Sequence, residues 1–262
     1  MAEIATFEKA LWGLSVLLKW GLLGLLIYRK HYRTFPFFFT YVLLTAVQSP
    51  VLFASYRMWG FASVTSGNVA WGTQCLVIAA RGLAVAEICR RIIGMYRGIW
   101  ALASRLLLAT AGLVLLYSWA VARPHWQAAV LNCDRGLEMA IAGVLMMVFL
   151  FARHYEIEVE QAVRYLAVGL FLYSCFSVVN NSVLERWMWD YALLWNLFRT
   201  LAFVASLLLW GWALRAQQPE TAALPGMLPD STYRALAPEL NLRLKALNEQ
   251  LGKSWYAEAR KH

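Results

Sequence analysis

The sequence predicts an all-α protein, a seven-helix transmembrane bundle followed by a short amphipathic cytoplasmic C-terminal helix. Hydrophobic residues make up 61% of the 262 residues and charged residues only 15%, whereas a soluble domain is roughly half apolar and about a quarter charged. Apolar runs of about 20 residues, the length that spans a bilayer, recur along the chain. Basic residues collect in alternate connections between these runs. These observations predict the fold class.

Seven apolar runs are each predicted to cross the membrane. The third and fifth are interrupted by charges, so they insert only if neighbouring helices shield those charges. In the second we expect either a bend at Pro50 or the end of the helix, because proline removes a helix hydrogen bond. The first is expected to stay in the mature protein, since Lys19 divides its apolar core. The spans are approximately Leu11–Tyr28, Phe35–Tyr56, Val69–Ile92, Ile99–Val121, Gln127–Phe151, Val163–Val183 and Tyr191–Leu214.

Basic residues between the runs predict the direction of threading. They begin with Arg29, Lys30 and Arg33 after the first run and continue with Arg90 and Arg91 at the end of the third. Because Lys and Arg are retained on the cytoplasmic side, we expect the N-terminus outside and the C-terminus in the cytoplasm. This placement of the basic residues at the membrane surface explains the net charge of +9. No nucleic acid is therefore expected as a partner.

The composition changes after the membrane domain, residues 1–214. Residues 215–237 are rich in Pro and Gln and predict a linker, and residues 238–262 predict an amphipathic cytoplasmic tail helix that begins at Pro238. We expect this helix to lie on the inner leaflet, pack under the bundle, contact a cytoplasmic protein partner or pair with another copy. Its apolar stripe consists of Leu240, Leu244, Leu247, Leu251 and Trp255.

Ionisable residues inside the runs are predicted to pair between helices, because an isolated charge at membrane depth is costly. Residues of different runs are expected to pair when they lie at the same depth, counted at about 1.5 Å of helical rise per residue. The predicted pairs are Arg81 with Glu138, Arg199 with Asp134, and Glu87 with Arg105. A local alternative for Glu87 is Arg90 or Arg91, which follow it by three and four residues.

A polar core that opens outward is predicted around these charges. Cations are in excess there, because Lys19 has no acidic residue at its depth. Uncharged polar residues such as Gln48 and Gln74 occur in the outer half of the spans. Such a core is suited to a small anion or to the head group of an anionic lipid; alternatively, its polar groups satisfy one another between helices. The predicted ligand-binding residues are Arg81, Asp134, Arg135, Glu138, Asn181, Asn196 and Arg199.

The sequence lacks the patterns of common membrane enzymes. The four histidines lie at span ends or at the terminus, so they do not form a haem site between helices. Neither His-Glu-x-x-His, Gly-x-Ser-x-Gly nor a glycine-rich phosphate loop occurs. The four cysteines form no C-x-x-C pair and are expected to be small core residues; they are Cys75, Cys89, Cys133 and Cys175. We therefore expect no enzymatic activity, no cofactor and no bound metal.

Three segments resemble a group of multi-span bacterial membrane proteins: residues 32–41 (YRTFPFFFTY), residues 85–90 (VAEICR) and residues 243–248 (RLKALN). The resemblance covers scattered parts of most of the chain. It implies a seven-span protein of the bacterial inner membrane, and it implies no activity and no functional residue.

The predicted function is that of a sensor or receptor-like binding protein. The polar core would bind a small molecule or lipid, and the tail helix would pass a change in helix packing to a cytoplasmic partner. One alternative is a small-solute transporter that uses the buried charges along its pathway. Another is an accessory subunit of a membrane complex.

Overall fold

The computed structural model describes residues 2–61, 63–122, 126–186 and 192–215, together with 239, 241–243 and 245. Side chains are described for 10–61, 63–96, 98–122, 126–180 and 197–215 and for the five tail residues. The chain divides into two compact units, Met1–Gln217 and Gln218–His262. The helices described in the first unit are α1 (Ala2–Tyr28), α2 (Pro36–Trp59), α3 (Val64–Ile93), α4 (Arg97–Ala122), α5 (Trp126–His154), α6 (Gln161–Arg186) and α7 (Ala192–Arg215).

Six of the described helices are long and apolar enough to cross a bilayer. The chain is therefore an integral, multi-pass membrane protein of the all-α class. The helix that is not among the six is α3, which carries the charged residues Arg81, Glu87, Arg90 and Arg91. The six apolar segments are Ala10–Tyr28, Pro36–Trp59, Gly98–Ala122, Trp126–His154, Gln161–Asn180 and Leu197–Arg215.

Local sequence signals account for several helix ends. Helix α2 begins at Pro36, because proline is well suited to the first helical turn, where its missing N–H needs no partner. It ends before Gly60, whose φ of +80° is a conformation that glycine adopts without strain. Ser63 then caps α3 by accepting a hydrogen bond from the backbone N–H of Thr65 at 3.3 Å. Helix α2 runs through Pro50, so the expectation that Pro50 ends the helix is wrong.

Helix α3 is the central helix of the first unit, and α4 is the peripheral one. Helix α3 packs against α2, α4, α5 and α6, whereas α4 packs only against α5 and α3 among the described helices. The remaining packed pairs, α1 with α2, α1 with α7, α6 with α7 and α5 with α6, close a ring around one side of α3. Helix α3, which was not among the six apolar segments, is therefore the described helix that packs against the most neighbours.

One end of the bundle gathers the turn between α1 and α2 with the last turns of α3 and α7. The ring nitrogen Nε2 of His31 lies 3.2 Å from the carbonyl oxygen of Leu214. Arg91 donates a hydrogen bond to the carbonyl of Thr34, and its guanidinium lies 4.3 Å from the centre of the Phe35 ring. Helices α2 and α3 are therefore antiparallel, and α7 ends beside the start of α2.

The closest packing joins α6 and α7 around Trp210. The indole of Trp210 is fully buried, donates a hydrogen bond to the carbonyl of Leu166 at 3.2 Å and meets the Phe38 ring edge-on at 5.2 Å. Ser206 of α7 also donates to the carbonyl of Gly169 at 2.9 Å. This approach requires glycine at 169, because the Trp210 ring occupies the space of a Cβ atom.

The cysteines and the tail depart in part from expectation. Cys89 is buried, but Cys75 is exposed and the other two are half-buried, so only Cys89 is a core residue. In the second unit, Glu239 and Arg243 form an exposed ion pair of 2.7 Å, four residues apart on a helical turn. Pro238 and the five apolar stripe residues of the predicted tail helix lie outside the described residues.

Substituting Gly169 with alanine is expected to destabilise the bundle by about 1–3 kcal/mol, the usual cost of overpacking a buried site. The new Cβ would lie 2.9 Å from Cδ1 of Trp210 and closer still to the indole nitrogen. Gly211→Ala is the matched control, because nothing lies within 4 Å of a Cβ at that position. Thermal unfolding of both variants in detergent, followed by tryptophan fluorescence, measures the difference. Equal midpoints would contradict the packing described.

The contact between His31 and Leu214 predicts a pH-dependent stability. Burial lowers the pKa of the His31 imidazole below its ordinary value of 6.5, and nearby Arg29 lowers it further, while the Leu214 carbonyl and the Glu160 charge oppose the shift. The folded protein therefore binds this proton less tightly than the unfolded chain does. Stability is expected to be full above about pH 6.5 and to fall as the pH drops below that value.

Unfolding midpoints between pH 5 and pH 8 would measure this dependence in the wild type and in His31→Gln. The glutamine still donates a hydrogen bond but does not titrate, so its midpoint should change less with pH. His154→Gln, at an exposed histidine, should keep the wild-type profile. An unaltered profile in His31→Gln would rule out this residue as the source.

Candidate functional site

The candidate site is centred on a buried arginine held between two carboxylates. Arg81 of α3 is 3% exposed, and its Nη1 atom lies 3.3 Å from Oδ1 of Asp134. The same nitrogen donates a hydrogen bond to Oε1 of Glu138, which is fully buried. Asp134 and Glu138 face Arg81 together because four residues separate them on α5, slightly more than one turn. We refer to these three residues as the charge centre.

Two tyrosines flank the charge centre. The guanidinium carbon of Arg81 lies 5.8 Å from the ring centre of Tyr41 on α2 and 5.4 Å from that of Tyr173 on α6. Both rings are buried. Aromatic faces attract cations most strongly where water is excluded, so these rings stabilise the guanidinium on the sides that the carboxylates leave open.

A chain of amides continues from the charge centre. Gln74 of α3 donates to Oδ2 of Asp134 at 3.3 Å. Gln48 of α2 donates to the side-chain oxygen of Gln74 at 3.1 Å. The chain thus links α2, α3 and α5 through side-chain hydrogen bonds.

Two more cations lie on either side of one aromatic pair. Tyr173 of α6 and Phe203 of α7 meet at 5.2 Å between ring centres. Arg199, four residues before Phe203, interacts with the Tyr173 side chain and lies within electrostatic range of Asp134 and Glu138. On α1, the ammonium of Lys19 lies 5.3 Å from the centre of the Phe203 ring and donates to the hydroxyl of Ser49 at 3.2 Å. These contacts of Lys19 with described residues are both to uncharged groups.

Helix α6 contributes a row of buried polar side chains. Ser174, Ser177 and Asn180 recur at intervals of three residues and are at most 2% exposed. The two hydroxyl oxygens and the amide oxygen of Asn180 have no hydrogen-bond partner in the part of the chain that the structure describes, and neither does Oε2 of Glu138. Unpaired polar atoms are costly in a protein interior. The side chains of this row are therefore able to form further hydrogen bonds.

The three predicted charge pairs can be compared with the structure. The pair of Arg81 with Glu138 is confirmed. The predicted pair of Asp134 with Arg199 is wrong. Asp134 makes its ion pair with Arg81, and Arg199 lies nearby beside Tyr173. The reason is that both carboxylates are presented to the same guanidinium.

The predicted pair of Glu87 with Arg105 is wrong. Glu87 accepts a hydrogen bond from the backbone N–H of Phe38 at 2.9 Å and is influenced by the charge of Arg91. Arg105 is exposed. The local alternative, an interaction of Glu87 with Arg91, agrees with the structure.

The structure thus brings Arg81, Asp134 and Glu138 together and places Arg199 near them. Arg135 is half-buried at the neighbouring position of α5. Asn181 and Asn196 lie in α6 and α7, but their side chains are outside the described residues. Sequence reasoning missed both tyrosines and the two serines of α6; the serines and Asn180 carry a signal in their three-residue spacing.

Both carboxylates of the charge centre bind Arg81. Within the described residues, no three His, Cys, Asp or Glu side chains lie close enough together to hold a metal ion. No protein-family model, curated protein or solved structure matches the chain. The resemblance to multi-span bacterial membrane proteins therefore stays a prediction.

Replacing Arg81 with glutamine is expected to lower the free energy of unfolding by about 3–5 kcal/mol, because Asp134 and Glu138 would remain buried without a cation. Arg105→Gln is the control, since an exposed substitution usually changes stability by less than about 0.5 kcal/mol. Unfolding by dodecyl sulfate in mixed micelles measures both variants. A loss in Arg81→Gln no larger than in the control would show that the charge centre does not support the fold.

Proposed function

We propose that this membrane protein is a receptor-like binding protein whose polar core holds a small anion or the head group of an anionic lipid. The observation that carries the proposal is the position of Lys19 and Arg199. Both lie against the Tyr173–Phe203 pair, while the two nearby carboxylates are bound to Arg81. Among the described residues, the contacts of Lys19 are to the uncharged Ser49 and Phe203. A cation in such surroundings at membrane depth is costly, and an anion would remove that cost.

The unpaired oxygens of Ser174 and Ser177 support the same proposal. A hydroxyl donates a hydrogen bond as readily as it accepts one, so the α6 row can serve as donors to an anion. We infer binding rather than catalysis, because the acidic groups that would move protons already bind Arg81. Of the predicted ligand-binding residues, we assign Arg199 to direct contact and the charge centre to positioning. The roles of Arg135, Asn181 and Asn196 stay predictions.

We further propose that α3 crosses the membrane as a seventh span. Its burial among α2, α5 and α6 supports this, since those helices shield its charges from lipid. Basic residues at the α1–α2 turn and at the end of α3 lie at one end of the bundle, and we assign that end to the cytoplasm. The N-terminus would then lie outside a bacterial inner membrane, and the tail would meet its partner in the cytoplasm.

The alternative of transport has less support. It required a pair of Glu87 and Arg105 on a continuous route, and Arg105 is instead exposed on the peripheral helix α4. The accessory-subunit alternative requires a surface that packs against another protein. No contact in the described part of the chain favours this alternative over ligand binding.

Binding is tested by thermal stability of the full chain in neutral detergent, titrated with sodium phosphate against sodium chloride of equal ionic strength. Phosphate at 100 times its Kd should stabilise the wild type by about 2.7 kcal/mol. The shift should be lost in Arg199→Gln and in Lys19→Gln, because each removes one cation. It should persist in Arg164→Gln, which removes an exposed cation on α6.

A parallel titration with short-chain phosphatidylglycerol distinguishes a lipid head group from a free anion. Stabilisation by the lipid alone identifies a head-group site, and stabilisation by both identifies an anion site. The proposal fails if neither ligand stabilises the wild type, or if the shift is the same in all three variants.

A further inference from the structure

An apolar cavity of about 680 Å³ lies between α3, α4 and α5. We call it the α3–α4–α5 slot. Small residues on all three helices, including Ala79, Gly82, Ala111 and Ala140, create its width. Its volume falls within the range of ligand sites, about 300–1,000 Å³.

The slot extends along most of α4. Trp100 and Trp119 line its two ends on that helix, and at about 1.5 Å of rise per residue they stand about 28 Å apart along the helix. That length is close to the hydrocarbon thickness of a bilayer, about 30 Å. A lipid acyl chain occupies one leaflet, about half of that thickness, so the slot is long enough to hold one chain.

The position of the slot favours a guest that enters from the membrane. The most apolar window of α4 contains no buried residue, and α4 reaches the rest of the protein only through α3 and α5 among the described helices. Apolar cavities stay dry and take up apolar molecules. In a bilayer, the abundant molecules of that shape are lipid acyl chains.

Positively charged residues at one end of the slot favour an anionic lipid. Arg90 follows the slot residue Ala86 by four positions and so continues the same face of α3, while Arg105 directly follows the slot residue Ser104 on α4. Both arginines are exposed, and neither forms an ion pair with a carboxylate in the described part of the chain. Two exposed arginines next to an acyl-chain channel complement a phosphate head group.

We propose that the α3–α4–α5 slot binds one anionic phospholipid, with an acyl chain between the three helices and its phosphate at Arg90 and Arg105. This site is separate from the polar core. Helix α5 presents Cys133 and Leu137 to the slot and the adjacent Asp134 and Glu138 to Arg81. Each site is therefore testable without the other.

The test is native mass spectrometry of the full chain, reconstituted in vesicles of equimolar phosphatidylglycerol and phosphatidylcholine and then gently extracted. The wild type should retain one lipid, predominantly phosphatidylglycerol. Ala111→Phe fills the slot and should lower retention about tenfold, which corresponds to about 1.4 kcal/mol. Ala109→Phe is the matched control, because Ala109 is exposed on the same helix and does not line the slot. Ala79→Phe fills the slot from α3 and replaces Ala111→Phe if that variant misfolds.

The head-group assignment is tested by the double variant Arg90→Gln and Arg105→Gln, which should retain the two lipids equally. Arg164→Gln, at an exposed arginine on α6, should keep the preference, because α6 makes no contact with α4. The proposal is overturned if the wild type retains no lipid, if neither slot-filling variant lowers retention, or if the double variant keeps its preference. A dimer without lipid would show instead that a second copy covers the slot.

Discussion

The burial of Arg81 between Asp134 and Glu138 is the constraint on which the rest of the bundle depends. A guanidinium in hydrocarbon costs several kcal/mol unless its charge and its N–H groups are satisfied, and two carboxylates on one face of α5 do both. The cost of removing these groups from water is met only if no lipid or water reaches them. Helix α3 is therefore surrounded by α2, α5 and α6, with Tyr41 and Tyr173 covering the open sides of the guanidinium.

The same constraint explains why the helices differ in amphipathic character. Arg81 of α3 faces the ring of helices, and the opposite face, which includes Ala79, Gly82 and Ala86, lines the slot. Helix α5 is divided in the same way, with Asp134 and Glu138 on one face and Leu137 and Ala140 on the other. Among the described residues, the side-chain hydrogen bonds given for α4 stay within the helix, and α4 lies at the periphery.

The sequence predicted the helices and part of the site well, because both depend on spacing along the chain. The boundaries of α2, α4, α5, α6 and α7 fall within a few residues of the apolar runs, whereas α1 begins at Ala2, nine residues before the predicted start at Leu11. Depth matching found the pair of Arg81 with Glu138. Depth alone does not determine which face of a helix a residue occupies. Arg105 has the right depth for Glu87 but lies on an exposed face of α4. The slot was not predicted, because its width depends on how three helices pack and no periodic signal records a cavity.

The two proposed sites meet at α3 and α5, and this gives the slot a role in stabilising the charge centre. The attraction between opposite charges weakens as the effective dielectric constant rises. The slot lies between α4 and the faces of α3 and α5 that point away from the charge centre. An acyl chain bound in the slot would fill the space behind α3 and α5 with apolar groups and so would help to maintain the low dielectric on which the Arg81 interactions depend. A lipid bound there would act as part of the protein's own apolar core, although it is not part of the chain.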